Sequence, residues 1–235
     1  MRCHSPWENF FMTRVVVTGM GWITPLGNDL DTVWKRMCNS ESAIATIDRF
    51  DASSFPTKFA GQVRDFDWTA YVNDSAIHHS PAMNSQFALG AAKQAWDQSG
   101  LDNFKQLNLE RAGIYMGAGE GVLDFSAHSM IDTHSWDVED DKVDPVAWAK
   151  FAQDSLDEWG EVEQEPNMPL WHVAKEYGLR GPAFNCLTAC AASTQAIGEA
   201  TSVLLHGDAD VMLTGGTHTM LHALGLEQSL DCKRL

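Results

Sequence analysis

Apolar and polar positions along this chain follow two alternating rhythms: short β-branched runs, then stretches with helical spacing. Arg14-Val15-Val16-Val17-Thr18, closed by Gly19, predicts a short buried strand. Beyond a glycine- and proline-punctuated loop from Gly19 to Gly27, Asn28 is placed to cap a helix. Its apolar residues Leu30, Val33, Trp34 and Met37 fall on one face. Lys58 to Val63 predicts an edge strand. Asn84 is placed to cap a longer helix that lines up Phe87, Ala88, Ala91, Ala92, Ala95 and Trp96, with Gly100 as its stop. Ala112 to Met116 predicts a second buried strand, trailed by Gly117, Gly119 and Gly121. After an interruption the rhythm returns as a strand over Ala183 to Leu187 and a helix from about Ala191 to His206. A last strand, Ala209 to Thr214, is closed by Gly215-Gly216. Strand, crossover helix and strand imply parallel pairing and an α/β layered fold.

The interruption is acidic. Between Glu120 and Glu176 stand fifteen carboxylates and three lysines, a local balance of −12 within a formal net charge of −16. Such a stretch is read as a solvated surface excursion; a recruitment surface or cation site lacks the ligand spacing it would need. Trp136, Trp148, Trp159 and Trp171 recur within it every 11 or 12 residues without self-similar sequence between them. They are read as anchors of helical turns on the core rather than as a repeat.

With 235 residues, 44% hydrophobic and 20% charged, the chain is globular and fills one large domain or two small ones. Its negative charge excludes an obligate nucleic-acid binder and a protein drawn to anionic membranes, and no apolar run is long enough to span a bilayer. Cys3, Cys38, Cys186, Cys190 and Cys232 are scattered and odd in number, which fits a reduced, cytoplasmic protein. Met1 to Phe11 has no apolar core of a secretory signal and is read as an upstream extension, with Met12 standing directly before the first strand pattern.

The candidate chemistry lies in Asn185-Cys186-Leu187-Thr188-Ala189-Cys190-Ala191-Ala192-Ser193. The register of the following helix sets Ala192, Ala196, Ala200, Val203 and Leu204 opposite a polar stripe of Gln195, Glu199, Ser202 and His206. Cys190 then falls at the helix N-terminus, where unpaired amides and the macrodipole favour a thiolate and can hold an oxyanion. This is the arrangement of a nucleophile elbow with sulfur in place of oxygen. On spacing alone a cysteine among alanines also fits as a small buried hydrophobe, the role assigned to Cys186. Nothing completes a metal site around the two.

The chain resembles a β-ketoacyl-[acyl-carrier-protein] synthase of the elongating type, within the thiolase-like superfamily. Arg14-Val-Val-Val-Thr-Gly-Met-Gly21, Thr24-Pro-Leu-Gly-Asn28, Ile47-Asp-Arg-Phe-Asp51 and Phe59-Ala-Gly-Gln-Val63 carry the resemblance. So do Tyr177-Gly-Leu-Arg-Gly-Pro182, Thr188-Ala-Cys-Ala-Ala-Ser193, Gly207-Asp-Ala-Asp-Val-Met212 and Gly215-Gly216. It implies the N-terminal half of a thiolase-like α-β-α-β-α fold with a helical acidic insertion. Residues 12–225 would be the synthase N-terminal domain, 1–11 an extension and 226–235 a divergent tail, with the C-terminal synthase domain absent. It also implies that Cys190 accepts an acyl chain from carrier-protein phosphopantetheine. In the family the resulting thioester is attacked by the carbanion that malonyl-carrier protein forms on losing CO₂. No cofactor, metal, nucleic acid or membrane is implied. The partners are acyl carrier protein and a second copy of the chain, in the cytoplasm.

The family's two catalytic histidines, supporting lysine and Phe-Gly-rich loop all belong to the second half of the fold. His218 and His222 match neither histidine and are read as surface residues sharing a helical face. Condensation by this chain alone is therefore not expected. The alternatives are a non-catalytic fragment, a partner subunit of a ketosynthase, a polyketide-type ketosynthase, or another acyl-thioester enzyme on the same fold. Gly19-Met-Gly21 is not a dinucleotide fingerprint, because Thr24 stands where its third glycine belongs. Gly117-Ala-Gly-Glu-Gly121 matches a loop bordering the family's acyl pocket, with Glu120 where relatives have an aliphatic residue. Pro81-Ala82-Met83-Asn84 occupies a place where relatives bring basic residues toward the carrier protein.

Overall fold

A computed structural model describes residues 14–119, 124–222 and 225. Its centre is β3 (Ala112–Ala118), buried along nearly its whole length. Strand β6 (Ala183–Cys186) pairs with it in parallel through Ile114↔Ala183 to Gly117↔Cys186. Strand β7 (Val211–Thr217) pairs in parallel on the other side, from Ala112↔Val211 to Ala118↔Thr217. The order is therefore β6-β3-β7, and all three strands finish at one edge. The last strand runs through Gly215-Gly216 rather than stopping before them, because both glycines continue the ladder against Met116 and Gly117.

Side chains alternate across β3 as the pleat requires. Ile114 and Met116 pack with Ala88, Leu89 and Ala92 of α2 (Met83–Ser99) and Val173 of α6 (Met168–Tyr177). Tyr115 faces the other way, toward Ala192 and Ala196 of α7 (Ala192–His206) and Cys186. Helices thus cover both faces of a parallel sheet, the layered α/β arrangement the spacing predicts. Gly100 ends α2 in the left-handed region at φ 71°.

The expected strand at Arg14–Thr18 does not form among the described residues, and Val16 and Val17 are 61% and 77% exposed. Both edges of β3 are already taken, and the chain instead lies along α2. There Gln98 Oε1 accepts from Met20 N at 2.8 Å, and the Gln94 amide both accepts from Trp22 N at 3.2 Å and donates to Trp22 O at 3.1 Å. Gly19 and Gly21 permit this approach: a Cβ on either would lie 2.0 or 1.9 Å from a backbone oxygen of α2.

Two caps differ from expectation by one or two positions. Asp29, not Asn28, caps α1 (Leu30–Cys38) by accepting from Thr32 N, while the Asn28 amide donates to Arg64 O and Asp65 O. Asn84 lies inside α2, whose cap position is Ala82. It is buried, and its backbone oxygen accepts from Thr217 Oγ1 at 2.7 Å, which ties the start of α2 to the end of β7. The expected edge strand is β2 (Phe59–Gly61), antiparallel to β1 (Ile44–Thr46).

The acidic excursion folds as α3 (Phe125–His134), a two-residue ladder of β4 (Trp136–Asp137) and β5 (Lys142–Val143), α4 (Pro145–Ser155) and α5 (Glu158–Val162). Its described carboxylates are mainly solvated, as expected, with Glu163 and Glu176 the buried exceptions. Its tryptophans are not uniformly anchors: Trp136 and Trp159 stay exposed, because a two-residue strand and a five-residue helix are too short to cover an indole. Trp148 is half-buried and donates to Asp132 Oδ1 at 2.8 Å.

Candidate active site

Cys190 is exposed and sits in a single 3₁₀ turn, Ala189–Ala191, between the end of β6 and the start of α7. Ala191 N donates to Thr188 O at 3.1 Å to close that turn. Thr188 Oγ1 bridges to Gln195 Oε1 at 2.9 Å, fastening the loop to the first turn of the helix. Among the described residues no side chain caps either the turn or α7; Ala192 N donates to Ala189 O, so turn and helix run on as one N-terminus with its positive dipole end beside Cys190.

The turn carries a feature absent from the expectations. Ala189, directly before the cysteine, has φ 48°. A Cβ in that region is sterically opposed, and strain of this kind concentrates at sites that must present a side chain. Alanine has no local preference for the left-handed region, so composition gave no hint of it.

Two glycines form the floor beneath the turn. Gly117 on β3 and Gly216 on β7 are partners in the ladder. A Cβ on Gly117 would lie 2.4 Å from the Ala192 carbonyl carbon, and one on Gly216 would lie 2.7 Å from Ser193 Cβ. Their lack of side chains lets α7 begin directly against the sheet. Cys186 is buried there and its thiol donates to Ala192 O at 3.2 Å, which fits its packing role. No cluster of metal-binding side chains occurs among the described residues.

Because the strands are parallel, the segments after β3, β6 and β7 converge at the carboxyl edge of the sheet, where α/β folds bind ligands. Cys190 follows β6, Gly119 follows β3 and His218 follows β7. A largely apolar groove of about 310 Å³ opens there between Ile23, Met83, Phe87, Met220 and Leu221, with Arg49 and His218 on its wall. His218 and His222 do not share a helical face: residues 218–222 run without helix, because β7 continues to Thr217 and the chain turns at once into the groove wall. His218 is exposed, as expected, and stands close over Gly119. Glu120, Gly121, the 1–11 extension, Met12 and the 226–235 tail lie outside the described residues.

The model of the β-ketoacyl synthase N-terminal domain matches residues 12–233. The chain is 33% identical over 221 residues to 3-oxoacyl-[acyl-carrier-protein] synthase 2 of Coxiella burnetii, covering 91% of this chain and 47% of that protein. It is 35% identical over 217 residues to 3-oxoacyl-[acyl-carrier-protein] synthase 2 of Vibrio harveyi, with the same coverages of 91% and 47%. A solved β-ketoacyl synthase from Burkholderia phymatum superposes with a TM-score of 0.75 at 21% identity, over 94% of this chain and 50% of that one. The chain spans about half the length of the curated relatives it matches.

Proposed function

The chain belongs to the β-ketoacyl synthase family through its N-terminal domain, and on that premise we propose that it is the acyl-accepting part of a 3-oxoacyl-[acyl-carrier-protein] synthase of fatty acid biosynthesis. Cys190 is the nucleophile. Its Sγ attacks the carbonyl carbon of an acyl thioester on carrier-protein phosphopantetheine, forming a new thioester. The pantetheine sulfur leaves and takes up the proton. The positive dipole end of α7 stabilises the oxyanion formed on the way. Decarboxylative condensation with malonyl-carrier protein belongs to the whole enzyme, and neither His218 nor His222 is assigned a part in it. No cofactor is required for the acyl transfer. The protein works in the cytoplasm with acyl carrier protein and as a homodimer; no helix among the described residues is long and apolar enough to cross a membrane.

The observation that carries this reading is the exposed position of Cys190 on a strained turn at the carboxyl edge of the sheet. The relatives, 3-oxoacyl-[acyl-carrier-protein] synthases, favour fatty acid synthesis over a polyketide-type ketosynthase. A non-catalytic fragment or partner subunit has no need of a nucleophile held this way. The test is peptide mass spectrometry after incubation with acyl-carrier protein or a cerulenin-type electrophile. An adduct is expected on Cys190, not on buried Cys186, and is lost in Cys190→Ser. A folded sample with no adduct on Cys190 overturns the assignment.

A further inference from the structure

On the α2–α6 side of the sheet, opposite α7, His78 and three side chains of residues 163–176 form one hydrogen-bonded line. His172 Nε2 meets Glu163 Oε1 at 2.6 Å, His172 Nδ1 meets His78 Nδ1 at 3.0 Å, and His78 Nε2 meets Glu176 Oε2 at 2.9 Å. The side chains of both histidines are fully buried, and those of the glutamates are 5% and 1% exposed. The outer carboxylate oxygens are also occupied. Glu163 Oε2 accepts from Ala82 N at 2.9 Å and Ser85 Oγ at 3.4 Å, and Glu176 Oε1 accepts from Asn73 N at 2.8 Å and Asn73 Nδ2 at 2.7 Å.

We propose that this Glu163–His172–His78–Glu176 line is a proton-loaded latch, which fastens residues 72–82 to α6 while it holds three protons and lets them go when one is lost. The count follows from the links. Three hydrogen bonds need three protons, whereas two neutral imidazoles and two carboxylates bring only two. With the third missing, either two Nδ1 lone pairs face each other at 3.0 Å or a ring nitrogen lone pair faces a carboxylate, both buried and repulsive. Burial, opposed by the Glu176 hydrogen bond, pushes His78 below the usual histidine value. In the loaded line His78 donates to Glu176 and accepts from His172, and the extra proton sits on His172 Nε2 in the 2.6 Å link to Glu163, the shortest of the three.

The surrounding groups are consistent with this. Lys175 is the cation facing the line, but its Nζ donates to Ile77 O at 2.8 Å and lies 4.3 Å from the Trp171 ring centroid. Trp68 meets His78 edge-on, and Trp171 meets His172 in the same way. The fastened segment is held against its own preference: His79 and Ser80 are both left-handed, at φ 46° and 59°. It leads directly into Met83 and Phe87 of the groove wall, so the latch governs that wall.

The folded protein keeps three protons where an unfolded chain above the ordinary histidine value of about 6.5 keeps two. Stability from the latch is therefore greatest near that pH: it falls at lower pH, where the unfolded chain gains a fourth proton, and is lost as pH rises to the point where the folded line releases its proton. The test is ¹⁵N NMR of histidine-labelled protein with urea unfolding across the same pH range. At pH 7.5, one ring of the line is expected to carry protons on both nitrogens. Between about pH 6.5 and the point where the folded line releases its proton, the folding constant should fall about tenfold per pH unit, the slope of one proton. His78→Gln should flatten that slope. Neutral rings throughout at pH 7.5, or an unchanged slope in His78→Gln, overturns the proposal. If His78→Gln does not fold, the wild-type spectrum decides alone.

Discussion

At the residue scale, Ala189 has the sharpest energetic signature. A Cβ in the left-handed region costs roughly 1–2 kcal/mol, and glycine would remove that cost while adding about 0.5–1 kcal/mol of unfolded-chain entropy. Ala189→Gly should therefore leave the urea midpoint nearly unchanged, whereas β-branched Ala189→Val should lower stability by roughly 2 kcal/mol. Tyr177 presents the reverse case. Its ring stacks on Trp96 at 4.3 Å, but its hydroxyl is buried without a partner among the described residues, and burial holds the phenol well above its usual value. Tyr177→Phe should be neutral or raise stability by about 1 kcal/mol in thermal unfolding, since it removes an unsatisfied group and keeps the stack. Cys190 and Cys186 were both legible in the sequence because a switch from strand to helical spacing brackets them. His78, Glu163, His172 and Glu176 were not, since contacts between far segments leave no spacing to read.

At the element scale, the start of α7 depends on an absence of side chains beneath it. Gly117→Val would drive a branched side chain into the backbone of Ala192 and Ser193. Loss of roughly 3 kcal/mol or more is expected from overpacking, together with loss of Cys190 labelling even in the fraction that stays folded. The cap of α1 gives a pH-dependent counterpart. Asp29 is held below the usual carboxylate value chiefly by the Thr32 amide. Its contribution is present above about pH 4 and lost as pH falls through its folded value, and Asp29→Ala should lower stability by about 1 kcal/mol at pH 7, an effect that shrinks as pH falls below about 4. Helix lengths and the parallel strands were readable because periodicity and glycine stops are local signals. The N-terminal strand was misread because pairing depends on which edges are free, and here Gln94 and Gln98 supply the bonds a neighbouring strand would have given.

At the scale of the whole molecule, apolar side chains remain in water on several sides. Val17, Leu187, Leu205, Phe184 and Ile197 are all 48% or more exposed. Surfaces of this kind promote association, and sedimentation velocity should find dimers or larger species at micromolar concentration; a well-folded monomer throughout would contradict this. The layered α/β class was legible because strand and helix signals alternate, while the reach of each contact was not. Ile114 meets Ala183 across 69 positions of sequence, and Ala112 meets Val211 across 99. No pairing in the central sheet is local, so the chain must close long loops before any ladder bond rewards it. The acidic excursion therefore acts as a timer on folding: halving it would change equilibrium stability by only about 0.6 kcal/mol, but would bring β3 and β6 together sooner. While that loop stays open, β3 waits with both edges bare, and a ribosome-fresh chain is most exposed to aggregation in that interval.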